Sequence, residues 1–407
     1  MLCACGDNVV TRLVPETYKF DDVTYTRMGV FHDTQRDEDC EPVVWADGAT
    51  YCTPKFFTTF YTDAACSDAI SPQPEGYVAT YFTLANHTNV RRLHAVTPST
   101  RAPAQYWVQA LSGCQGPFPT PPNAAWGDIS DDELDETAFV RLLRSAPEGE
   151  GRLQTIAWHT SDGLYQPMAF HDRDLGVDCT VDSNVGANRD SIACRPPADV
   201  VFYYADAACT VPVEVAADPP PARIQLGCET IAEVGSAREG VLYQMSGGVC
   251  SVTTAPSGTQ QYTVGAPIDL PMLSREISGD GRIQAITLVG DGVRVPDLFL
   301  HDRMLGVDCA PEPEPDGARC LPQRQDVETY YSDDQCSQTV GIVEANVGSC
   351  YAPIKWAEGS DGFHEVGAIV TTPLYVPSTG DTCMLQPPAE PHSVGPAQPI
   401  TIFAPAL

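Results

Sequence analysis

The residues in this chain best suited to chemistry are three histidines, each followed directly by an aspartate: His32-Asp33, His171-Asp172 and His301-Asp302. Three imidazoles that converge could hold a zinc ion, with each carboxylate orienting its neighbour. The structural alternative is that each histidine ends a strand and each aspartate caps the following turn. The sequence therefore offers His32, His171 and His301 as candidate metal ligands, for zinc or calcium, and no other cofactor is expected.

These His-Asp pairs belong to one motif that the chain repeats. It reads FHDRDLGVDC at 170–179, LHDRMLGVDC at 300–309 and, in a divergent copy, FHDTQRDEDC at 31–40. From the histidine to the cysteine, the second and third copies agree at eight of nine positions. Matching sequence surrounds each copy, which divides the chain into an N-terminal tether and three β repeats: residues 1–11, 12–145, 152–274 and 282–403.

The 16 cysteines predict a disulfide framework and therefore an oxidising compartment. None has the C-x2-C spacing that thiolate zinc sites usually show. A pair of cysteines in each repeat encloses a loop of variable length, 11, 14 or 10 residues, between flanks that stay in step. A disulfide at the base of such a loop explains this pattern, and it predicts three pairs: Cys40–Cys52, Cys179–Cys194 and Cys309–Cys320.

The remaining cysteines allow two pairing schemes. Local pairing predicts Cys209–Cys228 and Cys336–Cys350, and it leaves four cysteines unassigned: Cys66, Cys114, Cys250 and Cys383. The competing scheme joins the third cysteine of every repeat to the fifth, so that Cys228 and Cys350 remain for each other. The sequence does not decide between the two schemes.

The elements that must position these residues are short β-strands. An Arg-led apolar strand opens each repeat, and Asp162-Gly163 and Asp291-Gly292 are strong hairpin signals. Pro and Gly interrupt the whole chain at short intervals, as in all-β proteins. Short connectors between the repeats favour one pseudo-threefold, propeller-like body in which each repeat supplies two four-stranded blades. A row of packed β-sandwiches is the alternative.

A second repeated signature ends a strand in each repeat with two aromatic residues, an aspartate and a cysteine. Its second aromatic position is Tyr61, Tyr204 or Tyr331. These side chains could form a platform on which sugar rings stack, or they could pack at the rim of the core. They are the candidate binding surface of the chain.

The charge of the chain restricts its partners. There are 54 acidic and 23 basic residues, a formal net charge of −31. So acidic a surface repels phosphate backbones and anionic lipid, and no nucleic acid partner is expected. Leu2-Cys3-Ala4-Cys5 matches a bacterial lipobox, which predicts lipidation of Cys5 and a secretory signal upstream of Met1. The predicted location is extracytoplasmic: anchored at the outer membrane, periplasmic or on the cell surface.

Known catalytic motifs are absent from the sequence. There is no G-x-S-x-G nucleophile elbow, phosphate-binding glycine loop or dinucleotide fingerprint. His364-Glu365 begins like a zinc protease motif, but Ala368 occupies the place of the second histidine. With so many acidic residues, paired carboxylates carry almost no information about glycoside cleavage. The sequence therefore favours a protein that is not an enzyme.

The combined motifs resemble a group of uncharacterised Cys-rich repeat proteins, exported or lipid-anchored, of myxobacteria and related soil bacteria. The resemblance is carried by HD-x2-L-x-V-D-C, by Cys194-Arg195-Pro196 and Cys320-Leu321-Pro322, and by Tyr-Tyr-x-Asp-x2-Cys. It extends through all three repeats, although repeat 1 lacks the Leu-Gly-Val segment and the fourth cysteine. It implies export and supplies no catalytic residue.

The expected function is that of a non-enzymatic extracytoplasmic binding or structural lipoprotein. Its predicted partners are a membrane, through the N-terminal lipid, and a carbohydrate or an envelope protein as ligand; a monomer is expected. The alternatives are a secreted carbohydrate-active hydrolase and a metal-binding protein that uses the His-Asp motif.

Overall fold

The computed structural model of the chain describes residues 11–84, 87–110, 113–121, 124–181, 191–201, 203–226, 230–246, 249–344, 354–377, 383–385 and 391–407. These residues form short β-strands and two 3-10 turns, Glu136–Ala138 and Ile400–Ile402, and they contain no α-helix. This agrees with the all-β class predicted from the frequent Pro and Gly residues.

Repeat 1 contains thirteen strands within the described residues. They are β1 (Leu13–Phe20), β2 (Val23–Asp33), β3 (Glu38–Val44), β4 (Thr50–Pro54), β5 (Phe56–Phe57), β6 (Phe60–Tyr61), β7 (Ala69–Ile70), β8 (Gly76–Leu84), β9 (His87–Pro98), β10 (Gln105–Ala110), β11 (Gly113–Pro119), β12 (Gly127–Leu134) and β13 (Val140–Arg144).

Repeat 2 follows the same order. Its described strands are β14 (Leu153–His159), β15 (Tyr165–Asp172), β16 (Val177–Val181), β17 (Ser191–Arg195), β18 (Asp199–Val200), β19 (Tyr203–Tyr204), β20 (Pro212–Ala216), β21 (Arg223–Gln225), β22 (Ile231–Arg238), β23 (Leu242–Ser246), β24 (Val249–Thr253), β25 (Gln260–Pro267) and β26 (Met272–Ser278).

Repeat 3 repeats the order once more and ends in a 3-10 turn in place of a last strand. Its described strands are β27 (Ile283–Gly290), β28 (Val293–Asp302), β29 (Val307–Glu312), β30 (Arg319–Pro322), β31 (Arg324–Asp326), β32 (Glu328–Tyr331), β33 (Thr339–Glu344), β34 (Trp356–Gly359), β35 (Gly362–Ile369), β36 (Tyr375–Pro377), β37 (Cys383–Leu385) and β38 (Pro391–Val394).

Each repeat has two parts with different topology. The first part, which we call the hairpin half, is an antiparallel run of four strands that carries the His-Asp motif: residues 12–54, 152–195 and 282–322. The second part, which we call the sheet half, comprises residues 56–134, 199–267 and 324–394. In repeat 2 its strand order is β18-β21-β22-β25-β20-β19-β23-β24, and repeat 3 has the equivalent order β31-β34-β35-β38-β33-β32-β36-β37.

The sheet half of repeat 1 has the same topology but divides in two. Its strand orders are β5-β8-β9-β12 and β7-β6-β10-β11. Ser71 and Gly127 join the two parts through a pair of backbone hydrogen bonds of 2.9 and 3.1 Å. A Cβ atom at Gly127 would lie 2.4 Å from the Gln73 carbonyl oxygen, so this crossing requires glycine.

The described residues form two compact units that do not coincide with the repeats. The first comprises the described parts of Met1–Thr17, Thr26–Ala146 and Ile156–Met168, and the second those of Tyr18–Tyr25, Pro147–Thr155 and Ala169–Leu407. Each unit therefore contains a hairpin tip from a repeat whose remainder lies mainly in the other. We define tip 1 as residues 18–25, tip 2 as residues 156–168 and tip 3 as residues 287–296.

Each tip packs on the hairpin half of another repeat. Three apolar clusters show this, each of which combines one hairpin disulfide with tip residues: Cys40–Cys52 with Leu164, Cys179–Cys194 with Val293, and Cys309–Cys320 with Phe20. Acidic tip residues add polar contacts, since the Arg12 amide donates to Asp162 (2.6 Å) and the Leu153 amide donates to Asp291 (3.0 Å). Tip 2 thus packs on the hairpin half of repeat 1, tip 3 on that of repeat 2 and tip 1 on that of repeat 3.

The last segment of each repeat follows the same rule of exchange. Strand β13 pairs with β4 and with β14, and β26 pairs with β17 and with β27. At the end of repeat 3, the Cys320 amide donates to the Ala404 carbonyl (2.9 Å) and the Leu407 amide donates to the Lys19 carbonyl (2.7 Å). Each terminal segment therefore bonds to its own repeat and to the first strand of another repeat.

The predicted division into four-stranded blades is wrong. In the part of the chain that the structure describes, the sheet halves of repeats 2 and 3 are single eight-stranded sheets, and the hairpin halves join neighbouring repeats. The described sheets form no closed propeller, because the strands of the hairpin halves pair on from one repeat to the next.

Candidate functional site

In every copy of the repeated motif, the histidine lies opposite the second aspartate across a hairpin. The pairs in register are His32 with Asp39, His171 with Asp178 and His301 with Asp308. The imidazole Nδ1 is 2.9, 3.0 and 3.1 Å from the carboxylate of its partner. In repeat 1 the hydrogen bond with Asp39 raises the pKa of His32 against the opposing effect of desolvation.

The first aspartate of each motif forms a bidentate ion pair with the arginine that opens the repeat. The pairs are Arg12–Asp33, Arg152–Asp172 and Arg282–Asp302, with closest N–O distances of 2.6, 2.8 and 2.7 Å. All three aspartates are buried. Each guanidinium also donates to a backbone carbonyl near the end of the same repeat: Ala138, Asp269 or Ile402.

The same buried carboxylates cap the turn of the motif. Asp172 accepts from the amides of Asp174 (3.0 Å) and Leu175 (3.2 Å), and the other two repeats have equivalent bonds. Burial alone would raise the pKa of Asp172, but the Arg152 guanidinium and these amides hold it below its ordinary value. The opening arginine precedes the histidine by 20, 19 and 19 residues, so this nearly constant spacing was the available sequence signal for the pair.

The structure does not assemble His32, His171 and His301 into a metal site. Among the described residues there is no group of three or more His, Cys, Asp or Glu side chains that could hold a metal ion. Each Nδ1 is paired with the aspartate opposite it in its own hairpin. In each copy, the histidine and both carboxylates bind partners that fix the hairpin and its turn.

Six disulfides join the described cysteines. Three are the predicted hairpin pairs, Cys40–Cys52, Cys179–Cys194 and Cys309–Cys320. The other three follow the third-to-fifth scheme: Cys66–Cys114, Cys209–Cys250 and Cys336–Cys383.

The local pairs Cys209–Cys228 and Cys336–Cys350 are therefore wrong. Pairing of strands far apart in sequence brings the fifth cysteine to the third, because β19 lies beside β23, and β24 follows it in the sheet. Cys228, Cys350 and the predicted lipidation site Cys5 lie outside the described residues.

The third cysteine of each repeat belongs to a tight loop organised by a caged aspartate. In repeat 1, Asp63 accepts from the amides of Ala65, Ser67 and Asp68 and from the Ser67 hydroxyl, at 2.6–3.0 Å. Asp206 and Asp333 occupy the same position in the other repeats. Bonds from Ser67 lower the pKa of Asp63, and loop amides lower the pKa of Asp206 and Asp333. The loop therefore holds an ionised carboxylate whose lone pairs are already used.

The predicted surface tyrosines lie on strands beside a second aromatic residue. Tyr61 is in register with Trp107, Tyr204 with Tyr243, and Tyr331 with Tyr375. Residues directly opposite on paired antiparallel strands project from the same face of a sheet. In repeats 2 and 3 the row continues onto the edge strand with Val252, which is 67% exposed, and Leu385, which is 60% exposed.

We call these three sets aromatic rows: Tyr61 and Trp107 in row 1; Tyr204, Tyr243 and Val252 in row 2; Tyr331, Tyr375 and Leu385 in row 3. All six aromatic side chains are half-buried. The preceding residue on each tyrosine strand faces the other way, toward the core: Phe60 stacks on Tyr106 with ring centroids 4.7 Å apart, and Tyr330 is buried. The rows are thus the outward faces of strands whose inward faces pack the core.

A shallow recess with a cavity volume of about 20 Å³ is lined by Asp308, Lys355 and Trp356, among others. It contains one carboxylate, which His301 and Arg275 already bind. Ligand pockets are usually larger, on the order of 300–1,000 Å³. Buried Glu214 was not singled out by sequence reasoning, and buried His364 was considered only as the start of an incomplete zinc-protease motif.

The fold and the rows together define a three-repeat, all-β protein stapled by disulfides. The chain belongs to the family of unknown function DUF7481, whose model matches residues 1–403. The match covers all three repeats, and the family description assigns no activity and no residue roles. No curated protein and no solved structure was found to match the chain. In the described residues, no helix has the length and apolar character needed to cross a membrane.

Proposed function

We propose that the protein is a non-enzymatic binding protein that works outside the cytoplasm, held at a membrane by a lipid on Cys5. Its ligand contacts the three aromatic rows. The observation that carries this proposal is their recurrence: each repeat keeps an aromatic pair half-exposed at the same place in the sheet. Half-exposed aromatic side chains and apolar edge residues are enriched at binding surfaces.

The six disulfides support the proposed location. Such a framework is compatible with an oxidising compartment and unusual in the cytosol. The test is to express the gene with its upstream codons in a Gram-negative host, fractionate the cells and analyse the N-terminal peptide by mass spectrometry. We expect a lipid-modified Cys5 in the membrane fraction, whereas an unmodified Met1 with reduced cysteines would contradict both the tether and the export.

We also propose that the three repeats fold and unfold cooperatively, because they exchange segments. The exchanged segments support this, since the tips pass from repeat 2 to 1, from 3 to 2 and from 1 to 3. Terminal segments follow a matching cycle, which ends with the bond between Leu407 and Lys19. A cyclic exchange gives every repeat contacts that its own residues do not supply.

Binding without catalysis is supported by the way the ionisable motif residues are used. The repeated Arg, His and Asp side chains bond to one another, and the loop aspartates bond to their own loops. The test is a screen of envelope polysaccharides and of basic and acidic peptides, with wild type and a Trp107→Leu/Tyr243→Leu/Tyr375→Leu variant. Binding that the variant loses supports the proposal. Turnover of any probe, lost on changing one carboxylate, would overturn it.

A further inference from the structure

We infer that the aromatic rows bind the cationic side chains of a basic polypeptide segment, one rich in Lys or Arg. This inference rests on the proposed function, because it names the chemistry of the ligand for the same rows. Two features of the structure argue for it: the side chains of the rows themselves and the charge that surrounds them.

The rows present ring faces and aliphatic groups. In row 2 the residues in register are Tyr204, Tyr243 and Val252, and row 3 differs only in that Leu385 replaces the valine. A ring face attracts an ammonium or guanidinium group through its quadrupole, and the aliphatic stem of Lys or Arg packs on apolar neighbours. Recognition of a sugar would in addition need several convergent hydrogen bonds, toward which rows 2 and 3 offer only their tyrosine hydroxyls.

The carboxylate that follows each row tyrosine by two residues has little free hydrogen-bonding capacity. Asp63, Asp206 and Asp333 follow the row tyrosine by two residues, and their oxygens accept bonds from their own loops. The bonds that fill these lone pairs also lower the pKa of each carboxyl, so the negative charge persists at neutral pH. Such a carboxylate attracts a cation at a distance and is poorly placed to receive sugar hydroxyls.

The wider surface has the same sign. Residues 199–267, the sheet half of repeat 2, contain seven acidic residues against two arginines. The sheet half of repeat 3, residues 324–394, contains ten acidic residues against one arginine and one lysine. With a formal net charge of −31 for the whole chain, the field steers basic segments toward the rows and repels acidic ones.

The experiment titrates oxidised full-length protein with fluorescently labelled octalysine and with a neutral hexasaccharide at physiological salt. The Trp107→Leu/Tyr243→Leu/Tyr375→Leu variant keeps every charge, and Tyr165→Leu removes an exposed ring outside the rows. We expect the triple variant to bind octalysine about tenfold more weakly than wild type, and Tyr165→Leu to bind like wild type. Tyr243→Phe/Tyr375→Phe should keep most of the affinity, because the ring faces remain.

Each other result has a defined meaning. Equal octalysine affinity in wild type and the triple variant would overturn the inference, because it would leave only the diffuse charge. Hexasaccharide binding that depends on the rows, with no such dependence for octalysine, would overturn the inference and support the proposed function. If binding of neither probe depends on the rows, both the inference and the proposed function are wrong. Circular dichroism and Tm check that each variant folds, and the Phe variant provides the readout if the triple variant does not.

Discussion

The two halves of each repeat use their most recognisable residues in opposite ways. In the hairpin half, the opening arginine, the histidine and both aspartates bond to one another or to backbone groups. In the sheet half, Tyr204 and Tyr243 keep part of each ring exposed, beside an edge valine that is mostly in solvent. The comparison indicates that the His-Asp motif, the most strongly repeated one in the chain, stabilises the fold, whereas the less distinctive aromatic pairs leave part of their side chains exposed.

The halves also differ in how far their covalent links reach. The hairpin disulfide of repeat 2 joins residues 15 apart in sequence, and the disulfide of its sheet half joins residues 41 apart. The hairpin half of repeat 2 depends on a tip from another repeat for its core, while the sheet half of repeat 2 is built only from strands of that repeat. Four predictions test this contrast.

The largest effect should come from removing the exchanged segments. An isolated repeat 2, residues 152–274, lacks tip 3, whose Leu288, Val293 and Val295 fill the cluster around Cys179–Cys194. We expect this fragment not to fold cooperatively, as judged by circular dichroism and amide dispersion in NMR spectra. The intact chain should unfold in one calorimetric transition. A stable fragment, or three separate transitions in the intact chain, would contradict the exchange as a source of stability.

The second effect compares the two disulfides of repeat 2. Replacing Cys209 and Cys250 by alanine should destabilise the chain by about 4 kcal/mol, and replacing Cys179 and Cys194 by about 3 kcal/mol, because the longer loop restricts the unfolded chain more. Urea denaturation of both double variants measures the difference. Peptide mapping under non-reducing conditions provides the check, since a Cys209–Cys228 link in the wild type would remove the basis of the comparison.

Much of the hairpin half could be predicted from the sequence because its contacts are local. The strand-turn-strand pattern, the hairpin disulfides and the turn-capping role of Asp33, Asp172 and Asp302 all act within about 20 residues. The arginine that forms a bidentate ion pair with each of those aspartates was missed even though its spacing from the motif is nearly the same in all three repeats. An arginine at the start of a strand is equally typical of a strand end that lies in solvent.

The contacts of the sheet half depend on strand pairing that no local pattern reports. Tyr61 is 46 residues from Trp107 in sequence, and the two are in register because β6 pairs with β10. The same strand pairing brings Cys66 to Cys114. A preference for cysteines close in sequence therefore gave the wrong disulfides in repeats 2 and 3. The exchange of tips was equally hidden, since a hairpin has the same sequence signals whichever repeat it packs on.

The third prediction concerns the buried ion pair of the hairpin half. Asp172→Asn keeps the shape of the side chain but leaves Arg152 without its counter-charge, which should cost about 3 kcal/mol. The pKa of Asp172 is lowered by folding, so its contribution is present above the ordinary carboxyl pKa and is lost as the pH falls through the folded value.

The variant should therefore lose less stability than wild type between pH 5 and strongly acidic conditions. The matched control is Tyr204→Leu in row 2, which should change the free energy of unfolding by less than about 1 kcal/mol. If Tyr204→Leu lowered the free energy of unfolding more than Asp172→Asn does, the row tyrosine would stabilise the fold more than the buried ion pair, which would contradict the contrast between the two halves.

The smallest effect concerns His364, the one buried histidine among the described residues, which lies in the sheet half of repeat 3. Its Nδ1 is 2.9 Å from the Gly395 carbonyl oxygen and its Nε2 is 2.9 Å from the Asp361 carboxylate. Both acceptors need an N–H, so these two hydrogen bonds favour the imidazolium form. The bond to Gly395 raises the pKa of His364 against desolvation, and Asp361 adds to the rise.

A raised folded pKa gives stability that is fully present below the ordinary value of 6.5 and is lost as the pH rises through the folded value. Wild type should therefore show a small fall in Tm above neutral pH that His364→Gln lacks. Parallel Tm profiles for wild type and His364→Gln across this range would mean that the histidine is neutral in the folded protein.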